Sequence, residues 1–492
     1  MNLPFCDETL GIHKESDTVR FIRILMAPAA AFGSSFSMAL QFVLLTPFLV
    51  DLGVDRTTAS VIWLVGPTTG LIVQPLVGVL SDMYHRMHAT RLPIVCWATS
   101  VLVCANLSIA FCESLSAWLN VSLIGWLVVQ FWLFDGANNA IIVTMRAMLA
   151  DRFGKEHRTF AFSVLQFWTS LGSISGFLVA AGTTAPTTML LVQRCFLVCA
   201  LIVAISTVLS ALSVYEKRAC RMRFHGRYTG ADFRMNKVFL EPCLMAIVAG
   251  CVLTWFGWFA QQVFQSDFLT TRLEITDAAE GARLSALGSV IGAGMSCLTG
   301  LILPGLLAYT GTDSGTLFKI WATASAAQGA VLLVAPLLGS LPGFLVWEAA
   351  TGPMFAVAMT VPFMLVASGC DHGSSGRIMA LVNVAVCMPQ LLVSVVGGVL
   401  AYETVFVAGG CLCLAAAKLL WVPPSTELPP WSQRSTASLI ASNSDIYASL
   451  MENILFVDEQ QSDFRLRGLS SPRITSPHNK KIITSDEQSP LL

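Results

Sequence analysis

Apolar runs of about twenty residues, separated by short polar breaks, fill most of this chain, and about twenty residues is what a helix needs to cross a bilayer. Such runs fall at 22–50, 57–80, 93–113, 117–149, 160–183, 190–214, 238–264, 281–308, 316–338, 342–369, 376–401 and 403–422. The breaks between the ninth and tenth runs and between the eleventh and twelfth are the shortest. The pattern predicts an all-α membrane protein of twelve transmembrane helices. The stretch 215–237 is the longest internal break and divides the runs six and six. The expected organisation is therefore an N-terminal segment 1–21, a six-helix half 22–214, a central loop 215–237, a second half 238–422 and a tail 423–492.

Polar residues inside the runs carry the chemistry. Phe131 to Asp151 reads FWLFDGANNAIIVTMRAMLAD, long enough to span, yet it holds Asp135 and Arg146. A charge at membrane depth costs about 2.5–3.5 kcal/mol on insertion scales, and it usually faces a partner, a cavity or a pathway. Eleven residues, about three helical turns and about 16 Å, separate the two charges. They return to nearly the same face, with Asn138 and Asn139 one turn after Asp135 on that side. One helix would present all four to a common space. Two readings fit: a fixed interhelical salt bridge with polar glue, or a proton-titrating carboxylate whose guanidinium partner lines a solute site.

Further polar positions follow. The first run carries Gln41. The second, SVIWLVGPTTGLIVQPLVGVLSD, carries Gly66, Pro67, Gly70, Gln74, Pro75 and Gly78; small residues let helices approach closely. Asp82 is expected to end this helix, with Arg86 and Arg91 beyond, either as plain helix-end charges or as a gate latch. The seventh run, LTWFGWFAQQVFQSDF, holds Trp255, Trp258, Gln261, Gln262, Gln265 and Asp267. Aromatic faces beside amides suit a hydroxyl-rich, partly apolar ring; an interfacial aromatic belt with a helix-end Asp is the alternative. The tenth run contains Trp347 and Glu348. The eleventh contains Asn383, Pro389 and Gln390, where an amide facing lipid would be left unpaired.

Composition and charge narrow the class. Of 492 residues, 55% are hydrophobic and 12% charged, and mean hydropathy is +0.69. A soluble domain would carry about 25% charge. The net charge of −1 leaves no nucleic-acid footprint. The fourteen cysteines are scattered, without metal-ligand spacing. No nucleophile–base pair points to an enzyme. Lys14, Arg20 and Arg23, then Arg86 and Arg91, then Arg152, Lys155 and Arg158, then seven Lys and Arg in 215–237, fall in alternate loops. The positive-inside rule puts both termini in the cytosol. The tail is rich in Ser, Pro, Gln and charge and reads as disordered. Its Glu487 followed by Leu491 and Leu492 fits a dileucine sorting signal that a clathrin adaptor would bind. Asn120-Val-Ser122 is a sequon on an expected outer loop, very near the bilayer.

Several segments in fixed order, LQFVLLTPF, ASVIWLVGP with GLIVQPLVG and SD, FWLFDGANN with MRAMLAD, LTWFGWF with SDF, EGAR with ALG, and ALVNVAVCMPQLLVSVVGG, resemble the sucrose/proton symporters of plants and their animal and fungal relatives. This is the glycoside–pentoside–hexuronide branch of the major facilitator superfamily, and the similarity runs from about Ala30 to Gly398. The resemblance implies that superfamily's fold, two six-helix halves rocking about a midplane solute site. It implies that Asp135 is the proton-coupling aspartate, that Arg146 binds sugar, and that Asp267 is the second aspartate at the end of helix 7. The candidate substrate-binding set is Arg146, Asn138, Asn139, Gln41, Gln74, Trp258, Gln262, Asp267, Asn383 and Gln390. The candidate gate is Asp82, Arg86 and Arg91. The expected coupling ion is the proton, with no other cofactor and no metal. The sequence departs from the family at Gln265, where a further Asp is usual, at Arg56, which replaces a histidine, and at Met83, Thr90 and Leu92, which replace arginines. The expected membrane is the plasma membrane or that of a vacuole or lysosome. Export from an acidic lumen, uncoupled facilitation and sugar sensing are the alternatives.

Overall fold

A computed structural model of the protein describes residues 17–55, 58, 62, 64–182, 189–214, 242–369, 375–396 and 400–423. Among these residues, twelve long helices follow one another. They are α1 (Ala30–Asp51), α2 (Val65–His88), α3 (Leu92–Ala110), α4 (Leu123–Arg152), α5 (Lys155–Ala181), α6 (Met189–Val214), α7 (Pro242–Arg272), α8 (Ala278–Thr310), α9 (Ser314–Val334), α10 (Leu341–Gly369), α11 (Ser375–Val396) and α12 (Tyr402–Trp421). A short helix, Asp17–Met26, leads into α1. The all-α expectation and the twelve-helix count therefore stand.

Eleven helices among the described residues are long and apolar enough to cross a membrane. The helix outside that set is α2, whose Gly, Pro, Gln and Asp lower its hydropathy. It is sheltered instead by packing against α4 and α11, which bury Gln74, Ser81 and Asp82. Backbone hydrogen bonds close within each helix, which is what makes a helix viable in hydrocarbon. Pro47, Pro75, Pro304, Pro353, Pro362 and Pro389 lie inside helices; neighbouring helices in a bundle re-satisfy the groups such prolines free.

Two expected boundaries are corrected. The second run was expected to be helical over 57–80, and α2, Val65–His88, carries the helix eight residues further. Pro67 then occupies the first turn, where its missing N–H costs nothing, and the polar SDMYHRMH segment continues the helix. Asp82 thus sits inside the helix, not at its end. The fourth run was expected to begin at 117, but a separate helix, Cys112–Leu119, stops at Asn120 (φ 55°). Asn tolerates this left-handed conformation and ends helices there. Ser122 then caps α4, its hydroxyl accepting from the Gly125 amide at 3.4 Å.

The halves meet most extensively through α2 with α11 and α5 with α8, and also through α4 with α11 and α5 with α10. At the first, Gly78 on α2 faces Gly376 on α11: a Cβ on Gly78 would stand 2.7 Å from the Gly376 carbonyl oxygen and 2.8 Å from the Ala380 Cβ. The Gly78→Val variant is expected to force the helices apart at a cost of about 1–3 kcal/mol. Thermal unfolding of the detergent-solubilised protein would read this as a lowered midpoint. An unchanged midpoint would mean that the backbones do not pack this closely.

Candidate functional site

The α4 sequence places Asp135 on its inner face, where the residue is 4% exposed. Its Oδ2 accepts from Gln41 Nε2 of α1 at 3.5 Å. Among the described residues it has no ion pair. The Gly66 position of α2 lies between it and α11: a Cβ there would be 3.6 Å from Gln390 Nε2 and 4.0 Å from Asp135 Oδ2. The missing side chain at Gly66 leaves the Asp135 carboxylate and the Gln390 amide facing one spot on the seam between halves.

Three turns further along α4, Arg146 crosses the seam. Its Nη1 donates to Asn383 Oδ1 of α11, its Nη2 lies 3.7 Å from Met359 Sδ of α10, and its Cζ sits 3.6 Å above the Phe363 ring. A guanidinium over an aromatic face is held by the ring quadrupole as well as by its donors. Neither Asp135 nor Arg146 has an ion pair on another helix among the described residues, so the fixed interhelical salt bridge considered above is not formed here. Arg146 Nε, Asn383 Nδ2, Gln41 Oε1 and Gln74 Oε1 are buried without a hydrogen-bond partner. Buried polar atoms left unmade are costly. A narrow cleft adjoins Arg146. Ser35 of α1, Gln166 and Thr169 of α5 and Met359 of α10 line it.

The other candidates are placed more variously. Asn138 turns to α1, accepting from Ser34 Oγ at 2.6 Å. Asn139 turns to α2, accepting from Gln74 Nε2 and donating to Thr69 Oγ1 at 3.2 Å. These two asparagines tie helices together within the first half, and do not share one open space with Asp135 and Arg146. Trp258 stacks on Phe355 with centroids 4.7 Å apart. Gln262 is half-buried, and Asp267 is exposed near the end of α7, away from the buried groups.

The latch residues form a buried cluster at the end of the bundle where α2 finishes and α11 starts. Arg91 donates to Asp151 Oδ2 at 2.6 Å, Ser81 Oγ at 2.6 Å, Asp82 Oδ1 at 2.8 Å and Ser375 Oγ at 3.0 Å. Asp82 in turn accepts from the Gly376 and Arg377 amides at 2.8 and 3.0 Å, so it caps α11. Ser375 Oγ donates to Asp151 Oδ1 at 2.6 Å. Burial alone would lower the Arg91 guanidinium, but Asp151 and Asp82 hold it above its ordinary pKa. Arg86, the third expected member, is exposed in the last turn of α2. Asp151 and Ser375 were not anticipated; Asp151 ends the MRAMLAD segment, which is the signal that could have found it. Removing one partner of a buried ion pair costs about 3–5 kcal/mol. In a variant whose sole thiol is Cys387, which lies against Gly70 on this seam, Arg91→Ala should speed alkylation by more than about tenfold, the factor of 1.4 kcal/mol. An unchanged rate would show that the cluster does not hold this end shut.

A polar cluster inside the second half was also not anticipated, and it takes up Gln261, one of the amides read above as suited to a hydroxyl-rich ring. Glu348 of α10, 2% exposed, accepts at Oε1 from Gln261 Nε2 of α7 at 3.3 Å. Gln261 also donates to Thr351 Oγ1 at 3.0 Å and accepts from Gln328 Nε2 of α9 at 3.2 Å. The central loop 215–237 and the sorting residues Glu487, Leu491 and Leu492 lie outside the described residues.

Comparison with known proteins gives a consistent fold. The Major Facilitator Superfamily model matches residues 29–388. Sucrose transport protein SUC4 of Arabidopsis thaliana is 26% identical over 446 residues, covering 80% of this chain and 86% of the relative. Sucrose transport protein SUT3 of Oryza sativa subsp. indica is 25% identical over 479 residues, covering 83% and 92%. Among solved structures, a bacterial homologue of the iron transporter ferroportin in an outward-facing state aligns with TM-score 0.62 at 16% identity, covering 81% of this chain and 97% of that one. The human organic anion transporter MFSD10 aligns with TM-score 0.59 at 15% identity, covering 82% and 100%.

Proposed function

The chain belongs to the major facilitator superfamily, as a multi-pass integral membrane protein, and from that premise we propose that it is a proton-coupled symporter of sucrose or a related sugar or glucoside. The observation that carries the reading is a buried carboxylate, Asp135, without a cation, on the same helix as a guanidinium that spans the seam with one donor unused. The relatives named as sucrose transport proteins support a sugar as the solute. Asp135 takes a proton from one side of the membrane; neutralised, it lowers the barrier to moving the loaded site. Arg146 Nε and Asn383 Nδ2 engage solute hydroxyls, for which the forked guanidinium is suited. The halves then rock about the site, which requires the Asp82–Arg91–Asp151–Ser375 cluster to part. The charge of the loops supports cytosolic termini, which would put this cluster on the cytosolic side.

The sequence of the tail favours a second location for the same chemistry. The pair Leu491 and Leu492, after Glu487, fits sorting to a vacuole or lysosome, where the protein would export sugar from an acidic lumen. The deciding experiment is radiolabelled sucrose uptake in yeast lacking its own sugar transport, in acidic and neutral medium, with and without a protonophore. Leu491 and Leu492 are replaced so that the protein reaches the surface. Acid-stimulated, protonophore-sensitive uptake supports the symporter; saturable but protonophore-insensitive uptake would leave only a facilitator. No flux of sucrose, maltose, glucose, glucosides or polyols by surface-resident protein would overturn the reading.

A further inference from the structure

The halves of such a bundle are parallel repeats about an axis along the membrane normal, so α1 corresponds to α7 and α4 to α10. The two pairs carry the same chemistry. In the first half an amide on the first helix, Gln41, donates to a buried acid on the fourth, Asp135, 94 residues on. In the second half an amide on the first helix, Gln261, donates to a buried acid on the fourth, Glu348, 87 residues on. Each acid's own main-chain oxygen takes a second polar group from the next turn, Asn139 Nδ2 on Asp135 O and Thr351 Oγ1 on Glu348 O, both at 2.9 Å. Counting eleven residues along from each acid gives Arg146 and Met359, and these two touch across the seam. Corresponding positions of α4 and α10 thus meet where the axis must run, which fixes the correspondence of the acids independently of their amides.

We propose that Glu348 is a second proton-binding carboxyl, the counterpart of Asp135 in the second half, which gives transport a pH dependence separate from coupling. The site is built for a carboxyl that changes protonation. One oxygen accepts from Gln261, while Gly288 and Gly292 of α8 leave room for the side chain: a Cβ at Gly292 would stand 3.4 Å from Glu348 Oε2. No ionisable group of a helix packed on α10 pairs with it among the described residues. Asp267 and Arg272 of α7, Glu280 and Arg283 of α8 and Lys319 of α9 are exposed. Arg158 of α5 donates to the Phe153 and Ala367 carbonyls, and Arg377 of α11 and Asp151 of α4 belong to the latch. Cys387 of α11 sits against α2, and Arg146 of α4 is engaged with Asn383, Met359 and Phe363. A structural acid that must stay ionised would need a cation here, because an unpaired buried charge is far costlier than a neutral carboxyl. The two acids differ in one consequence. Asp135 has Arg146 eleven residues on, so its proton is linked to solute; Glu348 has Met359 there, so its proton is not.

The test reads protonation first and transport second, because only the second rests on the symport reading. Infrared difference spectra of the purified protein, titrated from acidic to alkaline buffer without solute, should show two carbonyl stretches of buried protonated carboxyls that vanish as pH rises. Glu348→Gln should remove one and Asp135→Asn the other. If Glu348→Gln does not fold, Glu348→Asp keeps a carboxyl in place and should displace its band. A Glu348 band that persists at every pH, or never appears, overturns the proposal. In vesicles, solute exchange by Asp135→Asn should remain pH-dependent and become flat when Glu348→Gln is added; a profile already flat in the single variant also overturns it. If no solute moves at all, the symport reading falls and the infrared result still decides the carboxyl.

Discussion

Replacing Asp135 by Asn is expected to abolish accumulation of solute against a gradient while leaving exchange across the membrane intact. Asn matches the neutral acid in shape, and its Oδ1 can still accept from Gln41 Nε2, which reaches Asp135 at 3.5 Å in the native protein. The variant therefore imitates the protonated carrier and cannot release the proton. Each pH unit across the membrane is worth about 1.4 kcal/mol per proton, enough for about tenfold accumulation of a neutral solute. That driving force should disappear, so the inside-to-outside ratio in acidic medium falls to unity and the protonophore no longer matters. Solute-loaded vesicles should still exchange label at a rate near wild type. Concentrative uptake at the native level by Asp135→Asn would remove Asp135 from the coupling step.

The second large effect belongs to Arg146→Lys. The substitution keeps the charge and loses the fork. A lysine ammonium reaching Asn383 would give up the stack on Phe363, now 3.6 Å from the guanidinium carbon, and the Nε donor that the protein itself leaves unused. A charged hydrogen bond is worth about 1.5–3 kcal/mol, so uptake efficiency at low solute should fall by about 10- to 150-fold. A concentration series on vesicles reads this, and the melting temperature, expected to change little, separates it from misfolding. Native uptake kinetics in the lysine variant would show that Arg146 only braces the halves.

Much of this was legible in the chain. Twelve apolar runs announce twelve helices because hydrocarbon demands both length and apolarity. Asp135 and Arg146 stand out because charges are expensive there. The far end of α2 was not legible: the polar segment after Leu80 continues the helix eight residues past its apolar run, to His88. Nor were the latch partners, since Arg91 and Ser375 lie 284 residues apart and no local pattern couples them. Asn138 and Asn139 share a side of α4 with Asp135 by spacing, yet neighbouring helices claim each amide. Glu348 and Gln261 were visible as residues, but their pairing needs the correspondence between halves that only packing displays.

The composition of the latch sets how the closed end responds to its surroundings. Arg91 and Asp82 are buried to about 1% side-chain exposure, so mobile ions in the bathing solution, which screen exposed charges over about 10 Å at 0.1 M, do not reach them. In the closed state, salt at that face therefore does little to loosen this ion pair. Opening that end requires these hydrogen-bonded ionic contacts to part together.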